Sequence, residues 1–351
     1  MSEGAVQMPG SSASRQARRI ETALRAIEAR LGPDIVRRLR AAPVRAPAAP
    51  AIASGSLALD RATGTGGLPR GHVTELVGAP SSGKTTLLYA ALAAAQRSGG
   101  LVALVDAEGT ADPAALLACG ADLETLVLAQ PASATDALLL LTILARCGAL
   151  DLLGFSSIPA LRDLPAGRMR PTVDDHSLAA PDAGRLMARG LRVLTAALTA
   201  GPTAVIATNE LAWVREADGA PDTPRSTGGR ALAHFAALRI LVEPLAPLPD
   251  PRGGVPGLRV ALTVIKHKLG IPGGRAVADL WPGRGLDPAA ELLALALAVG
   301  VVARDWRGYH ADGIALGQRP ADAAATLLAD PDLATRVRAA VLAGGTPPRA
   351  A

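Results

Sequence analysis

Short, largely apolar runs recur through the middle of the chain, each followed by a polar turn and then a stretch with helical spacing. Val73–Val77, Leu101–Val105, Asp151–Phe155 and Thr203–Thr208 read as buried strands, followed by Leu238–Val242 and Arg259–Ile265. Thr85–Arg97 and Ser133–Arg146 read as helices, the second with Ser133 as its N-cap. This alternation predicts an α/β fold, a mostly parallel central sheet covered on both faces. Ahead of it, Ile20, Leu24, Ile27 and Leu31 mark one face of a helix from Ser14, stopped at Gly32-Pro33. Residues 1–13 are small and polar and are expected to be disordered. The Pro/Ala stretch Ala42–Ala53 reads as a linker, separating an amino-terminal arm over 14–45 from a core over 46–285. From about Leu286 the pattern is helical with little strand, which predicts a small α-rich carboxy-terminal domain over 286–351.

Composition changes this picture in three ways. With 49% hydrophobic but only 2% aromatic residues, the core must be filled by Ala, Leu and Val, and few rings remain to stack on nucleic-acid bases. Two cysteines, Cys119 and Cys147, exclude a disulfide framework or a four-cysteine zinc module, and their Ala/Leu-rich surroundings favour core packing. The histidines show no metal-ligand spacing. The longest strictly apolar stretch, Leu292–Ala303, is too short to span a bilayer and no signal region follows Met1, so a cytoplasmic, membrane-free protein is expected. The net charge of +5 resides in residues 1–45, where nine arginines face four acids. Such an arm suits a polyanion or an acidic neighbouring subunit, and it equally suits a solvated helix face. Of 36 basic residues only Lys84, Lys266 and Lys268 are lysines. Where arginine serves almost everywhere else, these three positions call for a compact ammonium.

One of the three lies in Gly78-Ala79-Pro80-Ser81-Ser82-Gly83-Lys84-Thr85, which matches G-x-x-x-x-G-K-[ST] between a strand and a helix. Backbone N–H groups of such a loop converge on phosphate oxygens, aided by the helix amino terminus. Lys84 is expected to reach the β- and γ-phosphates of ATP and Thr85 to ligate Mg²⁺, with Thr86 completing the site. Asp106-Ala107-Glu108 closes the second strand at the same end of the sheet, where Glu108 could deprotonate an attacking water. Taken alone, Glu108 reads equally well as a surface acid.

Gly55-Ser56-Leu57-Ala58-Leu59-Asp60 and Gly66-Gly67-Leu68-Pro69-Arg70-Gly71 precede the phosphate loop and Asp106-Ala107-Glu108. Asn209, Ser226-Thr227-Gly228-Gly229, Lys266-His267-Lys268 and Leu316-Gly317-Gln318 follow in order. In these blocks the chain resembles the RecA family of bacterial recombinases. The resemblance covers about residues 14 to 345 and implies a RecA-type ATPase core, with ATP held between subunits of a filament on single-stranded DNA. It implies Glu108 as catalytic base, Asp112 at the nucleotide base, and Lys266 and Lys268 reaching the γ-phosphate of a neighbouring subunit. It places DNA contacts in two loops. The first, about 163–176, holds Arg168 and Arg170. The second, about 211–230, holds Arg215, Arg225, Gly228, Gly229 and Arg230. Arg185 and Arg192 lie on the helix between them.

Three positions depart from the family pattern. Ser156 stands where a metal-organising aspartate is expected, Glu210 where a phosphate-sensing glutamine is expected, and Ala115 where an aromatic ring would stack on adenine. The loss at Ser156 is expected to weaken Mg²⁺-assisted hydrolysis, with Glu210 a partial substitute if it turns toward the metal. The leading expectation is a DNA-dependent ATPase that pairs single strands with homologous duplex DNA in repair. The alternative is an accessory protein, with another family member or a repair polymerase as partner, that binds nucleotide or DNA with little turnover.

Overall fold

The computed structural model describes residues 10–32, 51–163, 183–214, 223–226, 229–250, 254–311 and 313–344. The chain divides into two units, Met1–Ala48 and Ala49–Ala351. In the first, α1 (Gly10–Leu31) begins four residues ahead of the expected start and ends just before Gly32-Pro33. Ile20, on its apolar face, is 56% exposed.

Among the described residues of the second unit ten strands form one sheet: β1 (Val73–Gly78), β2 (Val102–Asp106), β3 (Val127–Ala129), β4 (Leu152–Ser156), β5 (Ala204–Val214), β6 (Thr223–Ser226), β7 (Leu238–Leu248), β8 (Gly257–His267), β9 (Arg275–Trp281) and β10 (Gly285–Leu286). Their order is β10-β9-β8-β7-β1-β5-β4-β2-β3, with β6 paired to the far part of β5. From β3 to β7 the neighbours are parallel, and from β7 to β10 they are antiparallel. Every residue of β1, β2 and β4 is buried, as their apolar runs require of a sheet covered on both faces.

Among the described residues seven helices accompany these strands: α2 (Leu57–Thr63), α3 (Lys84–Arg97), α4 (Pro113–Ala118), α5 (Ala134–Arg146), α6 (Ala160–Asp163), α7 (Ala183–Thr199) and α8 (Gly229–Phe235). Alternation along the strands sorts their side chains into two cores. Leu76, Leu104, Leu152 and Ile206 pack with Leu87, Leu88 and Leu92 of α3. Val73, Val105, Leu153 and Val205 pack with Leu138 and Leu141 of α5 and Leu191 and Leu194 of α7. Ser133 caps α5, its hydroxyl accepting from the Asp136 N–H at 3.1 Å. Core packing fails for Cys147, which is exposed, whereas Cys119 is half-buried and packs against the first of these cores. No helix among the described residues is long and apolar enough to cross a membrane.

The last stretch contains α9 (Pro288–Ala298), the antiparallel strands β11 (Ala303–Asp305), β12 (Gly308–Ala311) and β13 (Ile314–Gly317), α10 (Pro320–Ala329) and α11 (Pro331–Ala343). The three-stranded sheet was not legible as such in the sequence, whose apolar residues there are few and short. Asp287 and Asp330 cap α9 and α11 by accepting from Ala290 N–H and Leu333 N–H, each at 2.9 Å. A third apolar cluster joins these helices to Leu57 of α2.

That joint carries two acids. Glu291 of α9 accepts from the Ser56 hydroxyl and the Leu57 N–H, both at 2.6 Å. Asp60 of α2, fully buried, accepts from the Ser54 N–H at 2.8 Å and pairs with Arg338 of α11 at 3.0 Å. Burial outweighs these partners and pushes Asp60 up to about 6 and Glu291 up to about 7. Both carboxyls thus hold protons more tightly folded than unfolded. Their contribution to stability is complete below about pH 4 and is lost as pH rises through 6 to 7. The melting temperature is expected to fall by a few degrees between pH 5 and 8, from at most about 3 kcal/mol per group. Glu291→Gln should flatten that slope in thermal melts across pH; an unchanged slope would exclude Glu291 as its source.

Candidate nucleotide-binding site

β1 ends at Gly78, and the chain turns through residues 79–83 into α3 at Lys84. Ser81 sits at φ 59° and Gly83 at φ 92°, so the loop curls its backbone inward. A Cβ on Gly78 would lie 2.3 Å from the Val242 carbonyl oxygen, and the positive φ of Gly83 disfavours any side chain there. Gly83 offers no side-chain cap, which leaves the first N–H groups of α3 aimed into the loop. Ser82 Oγ is buried without a partner among the described residues. Ser81, Ser82, Gly83, Lys84, Thr85 and Thr86 line a cavity of about 240 Å³. Converging donors and a buried cation beside an orphaned hydroxyl fit a triphosphate.

Lys84, only 8% exposed, donates to the carbonyls of Gly78 at 3.1 Å and Ala79 at 2.6 Å. Burial lowers the pKa of its amine, and the charges of Glu210 and Glu108 act against that. These acids reach the loop through strand order. Gly78 is in register with Glu210 of β5, and Asp106 of β2 with Ser156 of β4. The carboxy ends of β1, β5, β4 and β2 therefore gather Lys84, Glu210, Ser156 and Glu108 at one edge of the sheet.

Glu108 is exposed, and its carboxylate accepts from the Ser157 hydroxyl and, at 3.2 Å, from the Thr110 hydroxyl. The loop that presents it is tied down by Asp106, which accepts from Gly109 N–H, Ala111 N–H and Gln130 Nε2 at 2.9 to 3.1 Å. Asp106 was read only as part of a motif; its signal was an acid followed three residues later by Gly, as turn-forming acids often are. Ser156, 4% exposed, puts a neutral hydroxyl at the carboxy end of β4. Thr85 is exposed in the first turn of α3.

Asp112 caps α4, accepting from Ala114 N–H at 2.8 Å, while its own N–H donates to the Tyr89 hydroxyl at 3.3 Å. Ala115 is partly buried against the apolar core. Lys266 and Lys268 stand elsewhere in the chain. Lys266 donates to the carbonyls of Ala233 at 2.5 Å and His234 at 3.0 Å, and Lys268 to His234 at 2.7 Å and Phe235 at 3.4 Å. They clasp the carboxy end of α8, where cations are favoured. Among the described residues neither contacts the phosphate loop of its own chain.

Within the segment 211–230, residues 211–214 of β5 pair antiparallel with β6, Leu211 opposite Ser226 and Val214 opposite Thr223. Arg168, Arg170, Arg215 and Gly228 lie outside the described residues. Arg185 lies on α7, Arg225 on β6 and Arg230 on α8 after Gly229, with their side chains also outside the description. Arg192 is exposed on α7.

A buried group that the motifs did not reveal lies behind this edge. Glu75, wholly buried in β1, accepts from Asn209 Nδ2 at 2.7 Å and pairs with Arg239 of β7. Its signal was an acid within the apolar run Val73-Thr74-Glu75-Leu76-Val77.

Residues 18–287 match the family described as the RecA N-terminal domain. "Protein RecA" of Thermus thermophilus is 38% identical over 92% of this chain and 93% of its own length. The proteins of that name from Nocardioides sp. and Desulforapulum autotrophicum are 37% and 34% identical, each over 92% of this chain and 90% of their own.

Proposed function

The chain belongs to the RecA family, and from that premise we propose that it is a recombinase. In this reading it binds ATP with Mg²⁺, assembles as a filament on single-stranded DNA and promotes pairing with homologous duplex. The observation that carries the reading is the convergence of the Gly78–Thr85 loop, Lys84, Glu108 and Glu210 at one sheet edge. The chain matches its relatives over 92% of its length, which favours the recombinase over an accessory protein.

Lys84 exchanges the Gly78 and Ala79 carbonyls for phosphate oxygens, a stronger, charge-assisted partnership. Thr85 and the Ser156 side of the site would hold the metal, which would neutralise charge on the phosphates. Glu108 takes a proton from an attacking water, oriented by the Ser157 hydroxyl. Lys266 and Lys268 serve the site of the next subunit, and the arginines of the two loops with Arg192 neutralise DNA phosphates.

The test is ATP turnover with and without single-stranded DNA, across salt concentration. Turnover should rise with DNA, and DNA affinity should fall steeply with salt. Tight ATP binding with no DNA-stimulated turnover would overturn the reading in favour of the accessory role. Ser156→Asp should restore a carboxylate to the metal shell and raise turnover by about 10- to 100-fold at saturating Mg²⁺. An unchanged rate would show that Glu210 or another group already supplies that charge.

A further inference from the structure

We infer that Glu75 is a positioning residue that couples the nucleotide site to the second loop, through Asn209 on one side and Arg239 with Ser226 on the other. The inference rests on the reading of that loop as a DNA contact.

The links are continuous. The Glu210 N–H donates to Asn209 Oδ1 at 2.8 Å, and Asn209 Nδ2 donates to Glu75 Oε1 at 2.7 Å. Glu75 Oε2 accepts from Arg239 Nε, and Arg239 Nη2 reaches Glu75 Oε1 at 3.5 Å and Ser226 Oγ at 3.3 Å. Glu210 stands beside Lys84 in the phosphate site, whereas Ser226 ends β6, just ahead of α8. Four strands are thereby joined by side chains across their backbone ladder.

The chemistry gives this chain little slack. Asn209 and Glu75 are both 0% exposed, so water cannot replace a bond that either loses. Both ends of the Asn209 amide are engaged, and turning it over would set its NH₂ against the Glu210 N–H and its oxygen against the Glu75 carboxylate. A displacement of Glu210 must therefore move Asn209 and Glu75 with it or break a buried bond. The link that can open at low cost is the last one, since Arg239 is 17% exposed. Made and open forms of the Arg239–Ser226 bond supply the two states that coupling needs.

A second input reaches the same hub. Arg239 is in register with Glu75 on one side and with Lys266 on the other. Lys266 also grips the end of α8, the helix that follows the second loop. Withdrawal of that ammonium toward another partner removes a positive charge from beside Arg239 and releases α8. Glu75 is thus placed to register the nucleotide both through its own strand and through Lys266.

The experiment measures linkage in the full chain, with a fluorescent ATP analogue and an oligo-dT strand as probes. Nucleotide affinity is titrated with and without the strand, and strand affinity with and without a slowly hydrolysed ATP analogue. Wild type is expected to show a coupling factor within about 5- to 150-fold, equal in both directions. Glu75→Gln and Ser226→Ala should bring that factor to within about threefold of unity. Nucleotide affinity without DNA should stay within about threefold of wild type. Ser226→Ala carries the test if Glu75→Gln does not fold, because it removes only a part-buried link. A residue of merely structural importance would lower the melting temperature and leave the coupling factor alone. Wild-type coupling retained in Ser226→Ala and in a folded Glu75→Gln overturns this inference only. Strand binding without coupling in the wild type overturns the inference alone, and absence of strand binding overturns it together with the DNA reading.

Discussion

Lys84→Ala is expected to weaken ATP binding by about 100- to 1000-fold and to reduce turnover to background. The ammonium is buried in the loop, 8% exposed, with two backbone carbonyls as its hydrogen-bond partners. Exchanging them for ionised oxygens of two phosphates creates charge-assisted bonds of about 1.5–3 kcal/mol each. Their loss costs about 3–6 kcal/mol together, and the two carbonyl bonds given up in the exchange offset part of it, which leaves about 3–4 kcal/mol, or two to three decades in affinity. Repulsion between the phosphates and the charges of Glu108 and Glu210 adds to the loss, because Lys84 is the cation that faces both acids. Lys84→Arg should not rescue binding, since a planar guanidinium does not fit a space shaped for a compact ammonium. Titration with a fluorescent ATP analogue measures the effect, and thermal melting without nucleotide checks the fold. An affinity within threefold of wild type would remove the phosphate loop from the centre of the site.

What the sequence revealed and what it hid follow from how far apart the interacting residues lie. β1, β2 and β4 announced themselves because strands covered on both faces are apolar at every position, and Ser133 announced a cap because its partner is three residues away. The phosphate loop was legible for the same reason: the glycines, Lys84 and Thr85 are contiguous. The antiparallel strands β9 and β10 were hidden: the buried face of β9 is Ala276, Ala278 and Leu280 while apolar Val277 is exposed, so hydropathy does not alternate as burial does. Glu75 was hidden most completely. Its partners Asn209 and Arg239 lie 134 and 164 residues away, and no local pattern distinguishes a paired buried acid from one that weakens a strand prediction. Lys266 and Lys268 stood out by rarity, the family resemblance implies a reach to a neighbouring subunit's phosphate, and the fold shows what they hold within one chain: the carbonyls that end α8. Both assignments use the same property, a compact ammonium that accommodates several oxygens.

Glu108→Gln is expected to lower ATP hydrolysis by about 10²- to 10⁴-fold while nucleotide affinity stays within about threefold. The substitution removes basicity and little else. Asp106, not Glu108, holds the loop, through the N–H groups of Gly109 and Ala111 and the amide of Gln130. The glutamine carbonyl can still accept from Ser157 and Thr110, which donate to the acid in the native chain. Lys84 loses one of its two acidic neighbours and keeps Glu210, so its charge remains available for phosphate. The variant should therefore load ATP, bind single-stranded DNA and remain assembled, because the step that discharges the site is blocked. Rapid-quench measurement of product formation, alongside nucleotide titration, separates this outcome from that of Lys84→Ala, which fails at binding. Hydrolysis at the wild-type rate would move the base to Glu210, the other carboxylate that acts on Lys84. In that case Glu210→Gln would be the variant that loads ATP without turning it over, and Ser156→Asp, by returning an acid to the metal side, should not restore it.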